Sequence, residues 1–267
     1  EMVEFQIQNG TAGLVPCGTT GESPTLSHAE HRRVIEVVID QAGSRIPVIA
    51  GAGSNNTDEA ISLTEHAKKA GARAALLITP YYNRPSQSGL IRHYTVIAER
   101  CDIPLIIYNC PGRTAVNTDA ATIVELSAIP NIAGIKEASG NMDQICEIIS
   151  RTPDTFAVLS GDDSMTLPMI SVGAKGVISV ASNVAPRQMA DLVRFALEGN
   201  YTAARELHFR MFPLMRALMK VETNPSPVKA AMNILGMEAG PVRLPLVEPD
   251  ANGMAIIEKR LRDINLL

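Results

Sequence analysis

Along the first two thirds of the chain, apolar residues gather in short unbroken runs: Ala12–Cys17, Ile46–Ala50, Ala74–Thr79, Pro104–Asn109, Ile132–Lys136, Phe156–Ser160 and Gly176–Val180. Runs of this length that are apolar throughout, rather than alternating with polar residues, predict parallel strands covered on both faces. The segments between them carry apolar residues at helical spacing together with helix boundary signals. Ser27-His28-Ala29-Glu30 has the form of a capping box, Thr57 and Thr118 precede acidic first turns, and Gly71 and Gly199 stand where helices stop. Met2 and Phe5, three apart ahead of Gly10, predict the tail of an amphipathic helix over Glu1–Gln8, as if the chain began within a unit.

Strand and helix alternate at a step of roughly 20–35 residues, which predicts βα units in series. Such a series closes into a barrel or spreads into an open doubly wound sheet, and the loops discriminate. An open sheet carries its site on one or two loops near the switch point. Here Gly18-Thr19-Thr20-Gly21-Glu22, Pro80-Tyr81-Tyr82-Asn83, Tyr108-Asn109, Lys136 and Gly161-Asp162-Asp163 all fall at or after strand C-termini. Chemistry at nearly every strand end predicts a (β/α)8 TIM barrel, whose βα loops converge on one face. With seven strands visible, the barrel expectation places one further N-terminal strand, roughly 25 residues with its loop, outside this chain. Beyond Gly199 the spacing is helical over Asn200–Lys220, Ser226–Leu235 and Asn252–Ile264, which predicts a catalytic barrel over residues 1–199 and a C-terminal helical appendage over 200–267.

Composition narrows the partners. A net charge of −4, no tryptophan and no basic run argue against nucleic acid as the partner, so small molecules are expected. No stretch approaches the apolar length of a membrane span. The four cysteines form no C-x-x-C pair and suggest no disulfide framework, which favours a reducing compartment, the cytoplasm.

Among the seven lysines, Lys136 is the one that closes an apolar strand. Packing its stem among barrel side chains would desolvate the ammonium and favour the neutral, nucleophilic amine that attacks ketones. The competing readings are an ion pair with Glu137 or a phosphate- or carboxylate-binding cation. Tyr108 ends the preceding strand, where its phenol can face that amine and move protons, or else simply line the barrel with a bond to backbone. The glycines of Gly18-Thr19-Thr20-Gly21-Glu22 would free amides for an anion such as a carboxylate. Arg113, in a loop shaped by Pro111 and Gly112, could grip a carboxylate in a two-pronged contact, or face water. Gly51-Ala52-Gly53 lacks the rest of either nucleotide fingerprint. His28 and His31, three apart on one helix, permit joint metal ligation, but there is no H-E-x-x-H, no clustered cysteine and no third histidine nearby, and no metal is expected.

Taken together, G-T-T-G-E, Tyr-Tyr-Asn-Arg-Pro, Tyr-Asn-x-Pro-x-Arg-Thr, Gly-Ile-Lys-Glu-Ala and Ser-Gly-Asp-Asp, in this order and spacing, resemble the dihydrodipicolinate synthase family from Phe5 to the C-terminus. The resemblance implies a pyruvate-dependent class I aldolase barrel in which Lys136 forms an imine with pyruvate, with no metal or organic cofactor. It implies a proton relay of Tyr108, Thr19 and Tyr82, the last reaching in from a neighbouring subunit of a dimer or tetramer. Thr20 would hold the pyruvate carboxylate, Arg113 that of L-aspartate 4-semialdehyde, and backbone at Gly161 and Ile178 would line the pocket. The product would be 4-hydroxy-tetrahydrodipicolinate, on the route to diaminopimelate and lysine. Ser23, His28, His31, Asn55, Glu59 and Tyr81 match positions that bind inhibitory L-lysine in relatives; Pro24 departs from the alanine of some of them. Related N-acetylneuraminate lyases and 2-keto-acid aldolases share the lysine and tyrosine, but the lyases typically lack the arginine and carry Ser-Thr in place of Thr19-Thr20. A non-catalytic keto-acid or amino-acid sensor is the alternative of another class.

Overall fold

A computed structural model describes residues 1–267. Six strands, β1 (Ile49–Gly51), β2 (Ala74–Ile78), β3 (Leu105–Asn109), β4 (Ile132–Glu137), β5 (Ala157–Ser160) and β6 (Gly176–Val177), form one parallel sheet in chain order. Between and around them run α1 (Met2–Gln8), α2 (His28–Ala42), α3 (Thr57–Ala70), α4 (Gln87–Arg100), α5 (Pro111–Thr114), α6 (Ala120–Leu126), α7 (Met142–Arg151), α8 (Thr166–Ser171) and α9 (Pro186–Leu197). The C-terminal helices are α10 (Tyr201–Lys220), α11 (Ser226–Ile234) and α12 (Ala251–Asp263). No helix is long and apolar enough to cross a membrane.

The expected first strand, Ala12–Cys17, is not a strand. It makes a single bridge, Leu14 to Val48, because Pro16 has no N–H to donate and Cys17 turns away at φ 56°. The seven expected strands are therefore six. Pro47 delays the start of β1 to Ile49 for the same reason. The last run stops at Val177, because the amides of Val180 and Ala181 leave the ladder and donate to the Asp163 carboxylate at 3.1 and 2.8 Å.

Helix ends follow local chemistry. The Ser27–Glu30 capping box is present in full, and Gly71 closes α3 at φ 100°. Asn56 rather than Thr57 caps α3, and Asp119 rather than Thr118 precedes α6.

Side-chain alternation along the strands builds two layers. On the inner face Ala74, Leu76, Ile106 and Tyr108 pack together with Val15, Cys110, Ala138 and Ile178. On the outer face Ala75, Leu77, Leu105, Ile107 and Ile135 meet the surrounding helices, among them Tyr94 and Ile97 of α4 and Ile145 and Ile148 of α7. Each such fully buried aliphatic side chain contributes about 1.5–3 kcal/mol. Met211, Leu214 and Leu218 of α10 share a second core with Met189 and Leu192 of α9 and Ile257 of α12.

Candidate active site

The register of β3 on β4 makes Tyr108 and Lys136 direct cross-strand partners. Both point to the inner face, where they are 6% and 8% exposed, and the Lys136 Nζ lies 4.1 Å from the centre of the Tyr108 ring. Burial lowers the Lys136 ammonium to about 8, an effect that Cys110 and Asp163 oppose and Arg113 reinforces. A working fraction of free amine therefore exists at neutral pH. The Tyr108 phenol moves the other way, well above its ordinary value, because of burial and the Cys110 thiol, with Thr19 and Arg113 pulling back. It stays protonated and available as a donor beside the amine.

Glu137 is not the lysine's ion-pair partner. One residue along a strand is the opposite face, and there its carboxylate accepts from Asn109 Nδ2 at 2.9 Å, Gln144 Nε2 at 3.3 Å and the Ser139 amide at 2.6 Å.

Gly51 allows the Gly18–Glu22 loop to lie against β1, since a Cβ there would stand 2.1 Å from the Cys17 carbonyl oxygen. The loop is less of an amide nest than expected. The N–H groups of Gly21 and Glu22 close its own turn on Gly18 and Thr19 at 3.0 and 3.1 Å, so an anion would rest on Thr19 and Thr20. Thr20 Oγ1 accepts from Asn224 Nδ2 at 3.1 Å, and the Asn224 carbonyl accepts from the Arg113 guanidinium at 3.1 Å. One residue of the loop between α10 and α11 thus joins the carboxylate-binding candidates on two separate βα loops. Nothing in the sequence singled out Asn224, because its Thr-Asn-Pro-Ser setting reads as an ordinary interhelical turn.

Gly161 packs directly over the lysine: a Cβ there would lie 3.1 Å from Lys136 Cε and 2.7 Å from Ala138 Cβ. The amides of Gly161 and Ile178 are engaged with Glu137 and Ser160 carbonyls at 2.7 and 2.9 Å, so what each can offer a ligand is its own carbonyl.

A profile of the Dihydrodipicolinate synthetase family matches residues 1–263. The chain belongs to that family. The 4-hydroxy-tetrahydrodipicolinate synthase of Syntrophobacter fumaroxidans is 58% identical over 246 residues, which are 92% of this chain and 84% of the relative. The chloride-inhibited dihydrodipicolinate synthase from Acinetobacter baumannii, solved in complex with pyruvate, superposes with a TM-score of 0.97 at 43% identity, covering 100% of this chain and 91% of that one. The enzyme from Cyanidioschyzon merolae, solved with lysine bound, also reaches 0.97, at 40% identity over 100% and 90% of the two chains. The family fold accounts for the curled parallel sheet with helices outside and a helical C-terminus.

Of the remaining residues that the family resemblance marked, Tyr82 stands away from the others, 90% exposed on the loop after β2 with a left-handed φ of 68°. The lysine-binding candidates only partly converge. His28 Nε2 lies 3.3 Å from Glu59 Oε1, Glu59 also meets Ser54, and its charge is felt by the Tyr81 phenol, which burial first of all raises. Asn55 joins through its carbonyl, which accepts from Asn83 Nδ2 at 2.8 Å. Ser23 makes no side-chain bond to this group, and His31 is turned to the buried side of α2 against the Gly51 backbone, with no side-chain bond to His28 or Glu59.

Proposed function

We propose that the chain condenses pyruvate with L-aspartate 4-semialdehyde, using Lys136 as an imine-forming lysine. The observation that carries this reading is the desolvated Lys136 amine held over the Tyr108 ring. The amine attacks C2 of pyruvate, and Tyr108 with Thr19 relays protons as the carbinolamine loses water to form the imine. Loss of a methyl proton gives an enamine, whose carbon attacks the aldehyde. The amine of the second substrate then attacks the imine carbon, displacing Lys136 and closing the ring. The protonated imine is the electron sink, so the scheme calls for no metal or organic cofactor.

In this scheme Thr20 and Arg113 hold the carboxylates, a reading supported by their shared contact with Asn224, and the pyruvate complex of the Acinetobacter relative supports the choice of keto acid. Arg113 favours this reaction over a neuraminate lyase or another 2-keto-acid aldolase, and the retained Lys136, Tyr108 and Thr19 favour catalysis over a sensor that only binds. Tyr82 completes the relay from a second subunit, which makes the active form at least a dimer, with a tetramer as the family expectation. The His28–Glu59–Tyr81 cluster is the site for inhibitory L-lysine, a reading supported by the lysine-bound relative. The compartment is the cytoplasm, in keeping with four unpaired cysteines.

Borohydride reduction in the presence of pyruvate, followed by peptide mass spectrometry, tests the core of this. The reduced adduct is expected on Lys136, and its absence or its appearance elsewhere overturns the reading. Product analysis with aspartate semialdehyde against N-acetylneuraminate separates synthase from lyase.

A further inference from the structure

The outer face of the sheet changes character at its C-terminal rim. Below it, Leu77, Ile107, Ile135 and Val158 are apolar; the next outward residues are Thr79, Asn109, Glu137 and Ser160, exposed by 0%, 0%, 1% and 0%. Each directly follows an inward residue of the site-bearing rim: Ile78, Tyr108, Lys136 and Leu159. A carboxylate this deep is costly unless every lone pair is met, and an apolar residue of like volume generally stabilises such a position more. Ile135, two residues earlier on the same face, shows that the layer accepts one.

What Glu137 adds is direction. Its oxygens gather Asn109 at the end of β3, Gln144 on α7 and the Ser139 amide after β4. Asn109 in turn accepts from the Thr118 amide at 3.0 Å and donates to Asn117 Oδ1 at 2.9 Å. Gln144 is paired with Asn117 in both directions, at 2.8 and 3.3 Å. The segment tied down this way closes the loop that carries Arg113. Such pinning has a purpose in this strand pair, because the β3–β4 ladder shifts register between Leu105 and Ile106. Pairing at the start of the two strands therefore does not by itself set the pairing of Tyr108 with Lys136 at their ends.

We infer that Glu137 is a positioning residue for the proposed reaction, holding Lys136 opposite Tyr108 through this buried hydrogen-bond truss on the reverse side of the same strands. The inference rests on the imine reading given above. The carboxylate is required because both of its oxygens only accept. In Glu137→Gln one carboxamide nitrogen must face a donor, and Asn109 cannot turn over without losing the Thr118 amide.

The test is the rate at which borohydride traps pyruvate on Lys136 of the full chain, together with kcat, in wild type, Glu137→Gln, Asn109→Asp and the double variant, with the folded fraction followed by circular dichroism. Glu137→Gln is expected to remain folded and to lose about 10- to 100-fold in both rates, as for a misplacement of around 1 Å at the reacting groups. Asn109→Asp alone sets two carboxylates against each other and should be no better. In the double variant the carboxamide introduced on β4 can donate to the carboxylate introduced on β3, so trapping should recover beyond the sum of the single losses. A wild-type trapping rate in Glu137→Gln, a loss matching only the unfolded fraction, or a double variant that is merely additive overturns the inference. If Glu137→Gln does not fold, Gln144→Met removes one strut from the half-buried side. It should slow trapping by about threefold, the scale of one ordinary hydrogen bond, as suits the long 3.3 Å Gln144–Glu137 contact, and an unchanged rate overturns the inference. A wild type that forms no adduct on Lys136 defeats the imine reading itself and this inference with it; a wild-type adduct with unaffected variants defeats the inference alone.

Discussion

Two loops at the same end of the sheet carry proposed catalytic residues, and they are held in opposite ways. The Gly18–Glu22 loop, with Cys17 and Glu22 in left-handed conformations, is gripped by the chain's own C-terminal region. Glu22 accepts from Lys229 Nζ at 2.7 Å and the Arg243 amide at 2.8 Å, and Thr20 is bonded to Asn224. The Tyr81–Arg84 loop also holds two left-handed residues, Tyr82 at φ 68° and Arg84 at φ 46°, yet its side-chain tie to the rest of the chain is the single Asn83–Asn55 bond. Non-glycine residues in this region cost of order 1 kcal/mol or more and persist where surrounding contacts hold them. One side of the pocket is thus built by the chain itself. The Tyr82 loop is presented outward, and in the reading proposed above a second copy holds it.

In the proposed reaction both loops serve one amine, Tyr82 from the second copy, so the largest effect is expected from removing that amine. Lys136→Ala should lower turnover by roughly 1000-fold or more and abolish the trapped adduct. Its melting temperature should rise, because a buried cationic site is lost; a fall would mean that Lys136 is structural. Next is pH. With the ammonium at about 8, the free-amine fraction grows roughly 50-fold between pH 6 and 8, and trapping should climb and level off accordingly. The linkage has a definite sign: the folded value lies below the unfolded one, so the folded state binds fewer protons and stability rises with pH between about 8 and 10.5.

Tyr82→Phe should cost about 100-fold in kcat as a lost proton-relay group. Mixing it with Lys136→Ala, each severely impaired alone, should restore activity in hybrid oligomers, where one site in two receives both intact groups. No recovery after subunit exchange would place Tyr82 outside the partner's site and remove the contrast between the loops. Glu22→Gln carries the smallest effect on the chemistry and a clear one on stability, about 3 kcal/mol by denaturant titration for a broken, mostly buried pair. Burial opposes ionisation of Glu22, but its bonds to Lys229 and Arg243 prevail and hold the carboxyl below the usual range of 4.5. The clamp is therefore fully present above that pH and lost as pH falls through the lowered value.

Much of this site was legible before any fold was seen, and the exceptions are instructive. Lys136 and Tyr108 could be read because each ends an apolar run, and neighbouring parallel strands bring their ends together. Ala12–Cys17 misled because its composition is that of a strand, while Pro16 removes a donor and Cys17 turns the chain. Helical spacing makes His28 and His31 equivalent, but one meets Glu59 at the surface and the other is buried against β1. Asn224 and the Glu137 truss left no local trace.

The order of βα units, the caps of α2 and α3, and the two residues facing each other at the ends of β3 and β4 were determined by the sequence alone, since hydrophobic period and capping act over a few neighbouring residues. Only the tertiary structure decided that Glu137 would turn its back on the lysine and that Asn224 would close on Thr20 from 204 positions away. Burial and long-range hydrogen bonding depend on groups brought together by packing, and no short stretch of chain encodes them.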